Sequence, residues 1–350
     1  MSSTETTVDW PALISRLLAG DELPAHLAGD AMRTILAGDA TDAQIAGFLI
    51  GMRSRGGETA DELSAMLDAA MAEAAIVPLT DDERARAIDV VGTGGDGSHS
   101  INVSTMAALV AAGAGALVCK HGNRSASSRC GTADVLELLG VAIEQAPEGV
   151  AACVRQAGIG FCFAPVFHPA FRFAGPPRRQ LGVATAFNLL GPMANPGRIR
   201  RQLIGVADPA FADSMLDALR RQGLTHAWVV HGDGLDELTT TGESSVLELI
   251  DGEVRRFRVD PAELGLERAD RADLVGGTPE DNADAVRRVL AGEPGAHRDV
   301  AVLNAAAALV VADVAGDLAE GVALAGASID DGRAAGVLDS LVRVSQAQAG

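Results

Sequence analysis

The 350-residue chain has no tyrosine, two tryptophans, nine phenylalanines and a single lysine. With aromatics at only 3% of residues, large rings cannot fill the interior, so the core must be built from Ala, Val, Leu and Gly. Such a core suits parallel strands covered by helices with small-residue faces. Four cysteines (Cys119, Cys130, Cys153, Cys162) include no CxxC pair and no Cys/His quartet at metal-ligand spacing, so reduced structural thiols are expected and a zinc site is not. The longest near-apolar run, Met106 to Cys119, is 14 residues and too short to span a bilayer. The opening MSSTETTVDW has no basic segment and no apolar core, so no signal peptide is read there and a cytoplasmic location is expected. Positive charge is also scarce. A formal net charge of −19 argues against a general nucleic-acid or anionic-membrane binder, because nothing offsets phosphate repulsion across the whole surface. An anionic small molecule in a locally basic pocket stays possible.

Hydrophobic residues make up 48% and charged residues 21%, the balance of a globular protein long enough for two domains. Residues 9 to about 76 carry only helical patterning. Thr59 with Glu62 forms a capping box, and TDAQIAGFLIGMRSRG opens on a Thr-Asp cap and closes on Gly56 and Gly57. This predicts a small domain of four helices over residues 1–79. After Pro78 the period changes. AIDVVG, ALVCKHG, VAIEQ, IGFCFAP, RQLIGVADP and HAWVVHG read as strands alternating with helices, and the last segment is helical. The expected fold is therefore α/β: a small all-helical N-terminal domain and a large domain, residues 80–350, with a mainly parallel mixed sheet surrounded by helices.

Four stretches carry chemistry. In DVVGTGGDGSHSINVST a strand enters a glycine-dense loop with Gly92, Gly95 and Asp96, followed by Ser100, Asn102 and a helix starting near Ser104. Open glycine amides and a helix N-terminus favour an anion, although the spacing matches neither a Walker loop nor GxGxxG. In LVCKHGNRSASSRCGT the only lysine, Lys120, ends a strand beside Arg124, with Asn123, Ser125, Ser127, Ser128 and Thr132 as neutral hydrogen-bonding groups. That set suits a phosphorylated, hydroxyl-rich ligand. HGDGLDELTTTG delivers Asp233, Asp236 and Glu237 to another strand end, where adjacent carboxylates could hold Mg²⁺ together with substrate phosphates. FAPVFHPAFRFAGPPRRQLG places His168 among aromatics and before Arg178 and Arg179, a pocket for an aromatic carboxylate.

In this order, GTGGD, NVST, KHGNR with the following SS and GTADVLELLG, FAPVFHPAF, FNLLGPMANP and GLDELTTTG resemble the anthranilate phosphoribosyltransferases over about residues 10 to 340. The resemblance implies transfer of the phosphoribosyl group of phosphoribosyl pyrophosphate (PRPP) to anthranilate, within tryptophan biosynthesis. It implies PRPP contacts from Gly92, Gly95, Asp96, Ser100, Asn102, Val103, Ser104 and Thr105. Lys120, His121, Gly122, Asn123, Arg124, Ser125, Ala126, Ser127, Ser128 and Thr132 would complete that site. Ser104, Asp236 and Glu237 would ligate two Mg²⁺ ions per monomer, and Gly92, Asn123, His168 and Arg178 would contact anthranilate. No nucleophile or base is implied. A homodimer through the helical domain is implied too, with a segment near residues 172–192 joining that domain in space, and no nucleic-acid or membrane partner. Thr132 stands where relatives more often have Ser, and the paired arginines leave open which one meets the carboxylate. The rival readings are a pyrimidine nucleoside phosphorylase of the same fold and a non-catalytic nucleic-acid-binding paralogue.

Overall fold

The structure, a computed structural model, describes residues 8–125 and 130–349. The chain begins with four helices, α1 (Trp10–Leu18), α2 (Ala25–Ala37), α3 (Asp42–Ser54) and α4 (Ala60–Ala72). Their starts are written in the sequence. Asp9 caps α1 through the Ala12 amide, and complete capping boxes, Thr41 with Gln44 and Thr59 with Glu62, open α3 and α4. The fully buried Glu62 also accepts the Leu23 amide at 2.7 Å and the Arg55 guanidinium, so one carboxylate ties three segments of the bundle together.

The remainder is built on a seven-stranded sheet: β1 (Ala87–Gly92), β2 (Leu117–Gly122), β3 (Ile159–Phe163), β4 (Arg201–Gly205), β5 (His226–Gly232), β6 (Ser244–Ile250) and β7 (Glu253–Val259). The order is β3-β2-β1-β4-β5-β6-β7, parallel from β3 to β5 and antiparallel beyond. The connections reverse direction across β1, which puts a crevice at the carboxyl ends of the central strands. One face is covered by helix Val103–Gly113 and the C-terminal helices Ala296–Val311 and Arg333–Gln348, in a core dominated by Ala, Val and Leu. The other face shares a continuous cluster with the N-terminal helices: Phe48, Leu63 and Met66 pack in one core with Ala174, Phe187 and Leu190 and with the sheet residues Ile204, Val229 and Leu249. No helix among the described residues is long and apolar enough to cross a membrane.

Two elements differ from the sequence reading. Val141 to Gln145, read as a strand, is not one. Val141 and Ile143 bury themselves, but the Ala142 amide bonds the Ser345 hydroxyl of the C-terminal helix at 3.0 Å, and among the described residues no strand pairs with the segment. The β6–β7 hairpin was not read at all.

Candidate active site

The site is assembled on glycines. Gly92 ends β1 and pairs with Gly205, which ends β4. A Cβ on Gly92 would strike the Asp236 carboxylate, and one on Gly205 would overlap the Asp236 carbonyl. Gly232, ending β5, leaves room in the same way for the Glu237 carbonyl. Three strand ends thus form a bare floor on which Asp236 and Glu237 lie. Any side chain there would lift them off the sheet.

Asp236 turns its Oδ2 to the Gly94 amide at 2.6 Å, which pins the glycine loop over the floor. Gly94 and Gly95 sit at φ +67° and +78°, the left-handed region that suits glycine. In the same loop Asp96 accepts the Ser98 amide at 3.0 Å and the Ser98 hydroxyl at 2.7 Å. Ser100 is drawn into a bridge with Val275, so its backbone braces the loop against a distant segment. Helix Val103–Gly113 then begins with Asn102 at its cap, and the Thr105 hydroxyl reaches that of Thr132 at 3.4 Å.

Lys120 is 2% exposed. Its ammonium donates to the Val90 carbonyl and, at 3.2 Å, to the Ser104 hydroxyl. Burial pushes its pKa down, while Asp89 and Glu237 oppose the shift. The carboxylates are strained in the opposite sense. Burial and then Asp96 raise Asp236 to about 7, and burial, Asp236 and Asp96 raise Glu237 well above the usual range despite Lys120. Desolvated carboxylates gathered beside one ammonium and one hydroxyl form an environment that a divalent cation would relieve.

The aromatic side of the site is continuous. His121 and His168 lie 5.2 Å apart, His168 stacks on Phe171 at 4.9 Å, Phe171 meets Phe187 edge-on at 5.2 Å, and Arg178 lies over Phe187 at 5.1 Å. His121 Nδ1 bonds the Gly191 carbonyl at 3.0 Å and His168 Nε2 the Ala194 carbonyl at 2.7 Å, so each of these nitrogens carries the proton. Burial holds both rings neutral, lowering His121 to about 3 and His168 to about 4. Arg178 is half-buried and its partner Arg179 exposed, so the inward-facing arginine is Arg178.

The geometry brings Gly92, Asp96, Ser104, Lys120, Asp236 and Glu237 into one cluster and joins His121 and His168 to Arg178 through the rings. The exposed Arg124 guanidinium bonds Asp134 at 2.7 Å and Glu137 at 3.0 Å. Asn123 caps locally, accepting the Arg124 amide at 2.7 Å. Ala126, Ser127 and Ser128 lie outside the described residues. Sequence reasoning missed Asp89 and Asn195, both buried against β2. The available signal was a lone carboxylate inside the apolar run AIDVV.

Comparison with known proteins agrees along the whole chain. Residues 11–74 match the helical bundle domain of a glycosyl transferase family, and residues 84–335 match its a/b domain. The anthranilate phosphoribosyltransferase of Salinispora arenicola is 51% identical over 343 residues, covering 97% of each chain. Among solved structures, the anthranilate phosphoribosyltransferase of Thermus thermophilus superposes with a TM-score of 0.88 at 42% identity, over 95% of this chain and 99% of that one. The Saccharomyces cerevisiae enzyme in complex with PRPP and Mg gives a TM-score of 0.88 at 25% identity, over 99% of this chain and 100% of that one. On sequence, on domain content and on fold, this chain belongs to the anthranilate phosphoribosyltransferases.

Proposed function

We propose that this chain transfers the phosphoribosyl group of PRPP to the amino group of anthranilate, giving N-(5-phosphoribosyl)anthranilate and pyrophosphate, the second step from chorismate to tryptophan. The observation that carries the reading is the buried Lys120 ammonium bonded to Ser104, beside the desolvated Asp236 and Glu237 at the carboxyl ends of three strands. PRPP is read as lying over the loop of Gly92, Gly95 and Asp96 and the helix start at Ser104 and Thr105, with its phosphates toward Lys120. Ser104, Asp236 and Glu237 would hold Mg²⁺, two ions being the proposed count, and the metal would neutralise charge on the departing pyrophosphate.

As the bond from ribose C1 to the pyrophosphate oxygen breaks, positive charge develops on the sugar and negative charge on the leaving group. Lys120 is a fixed counter-charge for the latter, needing no proton transfer. The amine of anthranilate is neutral at pH 7 and attacks C1, and the acidic anilinium so formed gives its proton to solvent water. No side chain is assigned as nucleophile or base. Arg178 would meet the anthranilate carboxylate from beside Phe187, with the neutral His168 ring lining the approach.

Loss of anthranilate fluorescence in the presence of PRPP and Mg²⁺ tests the reaction; phosphorolysis of thymidine or uridine instead would overturn it. Arg178→Ala is expected to raise the anthranilate KM roughly 30-fold while the PRPP KM stays within about twofold, in line with loss of a charged hydrogen-bonding partner. A cytoplasmic homodimer is part of the same proposal. Its support is the apolar surface left by Leu18 on α1, Ile50 on α3 and Val183, which follows a helix packed on α3. Sedimentation of Leu18→Glu tests it, a monomer being the expected outcome.

A further inference from the structure

β1 meets its two neighbours in different ways. Toward β4 the backbone register runs through five pairs, from Ile88↔Arg201 to Gly92↔Gly205. Toward β2 it stops after Ala87↔Leu117 and Ile88↔Val118. In a parallel ladder carried two residues further, the His121 amide would bond the Val90 carbonyl, and the Val90 amide the Cys119 carbonyl. Side chains take three of these four groups instead. The His121 amide donates to Asp89 Oδ1 at 3.1 Å. The Cys119 carbonyl accepts from Asn195 Nδ2 at 2.7 Å, and the Val90 carbonyl accepts from the Lys120 ammonium.

Asp89 and Asn195 act on each other as well. Asn195 Nδ2 donates to Asp89 Oδ2 at 2.8 Å, and Asn195 Oδ1 accepts the Gly197 amide at 2.8 Å, which orients its amide group. Asp89 is fully buried and Asn195 is 3% exposed. A carboxylate in an apolar strand carries a large desolvation cost, and here one oxygen takes the His121 amide of the interrupted ladder and the other takes Asn195. If β1 and β2 zipped together, the Val90 carbonyl would be taken by the backbone, and Lys120 would lose the bond that aims it at Ser104.

We propose that Asp89 and Asn195 are positioning residues for the transfer reaction: together they form a buried wedge that keeps the ends of β1 and β2 parted and so places Lys120 at the phosphate end of the site. Asn195 also anchors the wedge to the chain that leads from helix Ala186–Met193 into β4. That helix binds His121 through the Gly191 carbonyl, so β2 is held from both sides. The proposal rests on Lys120 being a contact for the phosphates of PRPP.

The test compares Asp89→Asn, Asn195→Ala, the double variant and Lys120→Ala in the full chain by steady-state kinetics, with circular dichroism to establish folding. Asp89→Asn sets two donors against each other; Asn195→Ala leaves the carboxylate on the His121 amide and is the milder variant should the first not fold. Each single change is expected to raise the PRPP KM about tenfold, with the anthranilate KM moving less than about twofold. The double variant should be no worse than the worse single, since both side chains act through one wedge. Multiplying effects, equal shifts in both KM values, or a lowered unfolding midpoint with unchanged KM values would overturn the wedge. A Lys120→Ala enzyme with an unaltered PRPP KM would instead overturn the placement of the phosphates. A raised PRPP KM in Lys120→Ala beside an unaffected Asp89→Asn and Asn195→Ala would remove the wedge alone.

Discussion

The two flanks of β1 do different work. On the β4 side backbone pairs with backbone to the last residue, and the paired Gly92 and Gly205 carry nothing but the weight of Asp236. On the β2 side the ladder lapses, and Asp89, Asn195 and Lys120 supply its bonds. The regular flank is a floor whose value is the absence of side chains. The irregular flank is where polar side chains gather and where the only lysine is aimed. Rigid backbone support and an interrupted ladder on the same strand allow a charged group to be buried without the sheet coming apart.

The largest expected effect comes from breaking the regular flank. Gly205→Ala would put a methyl group into the Asp236 carbonyl, and a loss of about 3 kcal/mol in unfolding free energy is expected from this overpacking, measurable by urea denaturation. A stability equal to the parent would show that the Asp236 loop yields freely. Next come the groups lying on the floor. Asp236→Asn with Glu237→Gln is expected to lower kcat/KM roughly 100-fold and to weaken Mg²⁺ dependence. The ligand-free protein should lose less stability as the pH rises through 7 toward 8, because buried carboxyls with raised pKa values, which are costly to ionise, are gone. Unchanged Mg²⁺ dependence in steady-state kinetics would refute the metal assignment.

On the irregular flank, Lys120→Arg keeps the charge but brings a broad guanidinium into a closed space between the Val90 carbonyl and Ser104. A rise in PRPP KM of about tenfold is expected; full retention of binding and turnover would make its isolation in an arginine-rich chain a matter of composition. The smallest effect lies at the far end of β1. There Glu83, in the helix that leads into the strand, pairs with Arg155 at 2.6 Å, and this pairing lowers its carboxyl from 4.5 to about 2. A depressed folded-state pKa contributes stability that is present above pH 4.5 and lost as the pH falls toward 2. Glu83→Gln should therefore cost less than about 1 kcal/mol at pH 7 and nothing near pH 2, as a pH series of denaturation curves would read.

Much of this was legible before folding. A Thr-Asp cap marked α3, a capping box marked α4, and apolar runs ending in glycine marked β1, β2, β4 and β5, because those signals are local and act within a few residues. The β6–β7 hairpin had such a signal in Asp251-Gly252, both at positive φ, but the surrounding SSVLELI and EVRRFRV lack a clean alternation. The segment at Val141 failed for the opposite reason: its pattern suits a strand, but a strand also needs a neighbour with free backbone groups, and pattern does not supply one.

The glycine ends of the strands, the lone lysine, the acidic pair and the order of motifs follow from residue type and spacing alone. Which groups each charge bonds to was set by folding alone. Arg124, read as a phosphate contact, also has Asp134 and Glu137 as ion-pair partners in the folded chain, and Asp89, which opens the glycine motif, is buried and accepts the β2 amide of His121. The reason is physical: a charged side chain goes where its desolvation is best compensated, and its partners here come from 10 to 106 residues away along the chain.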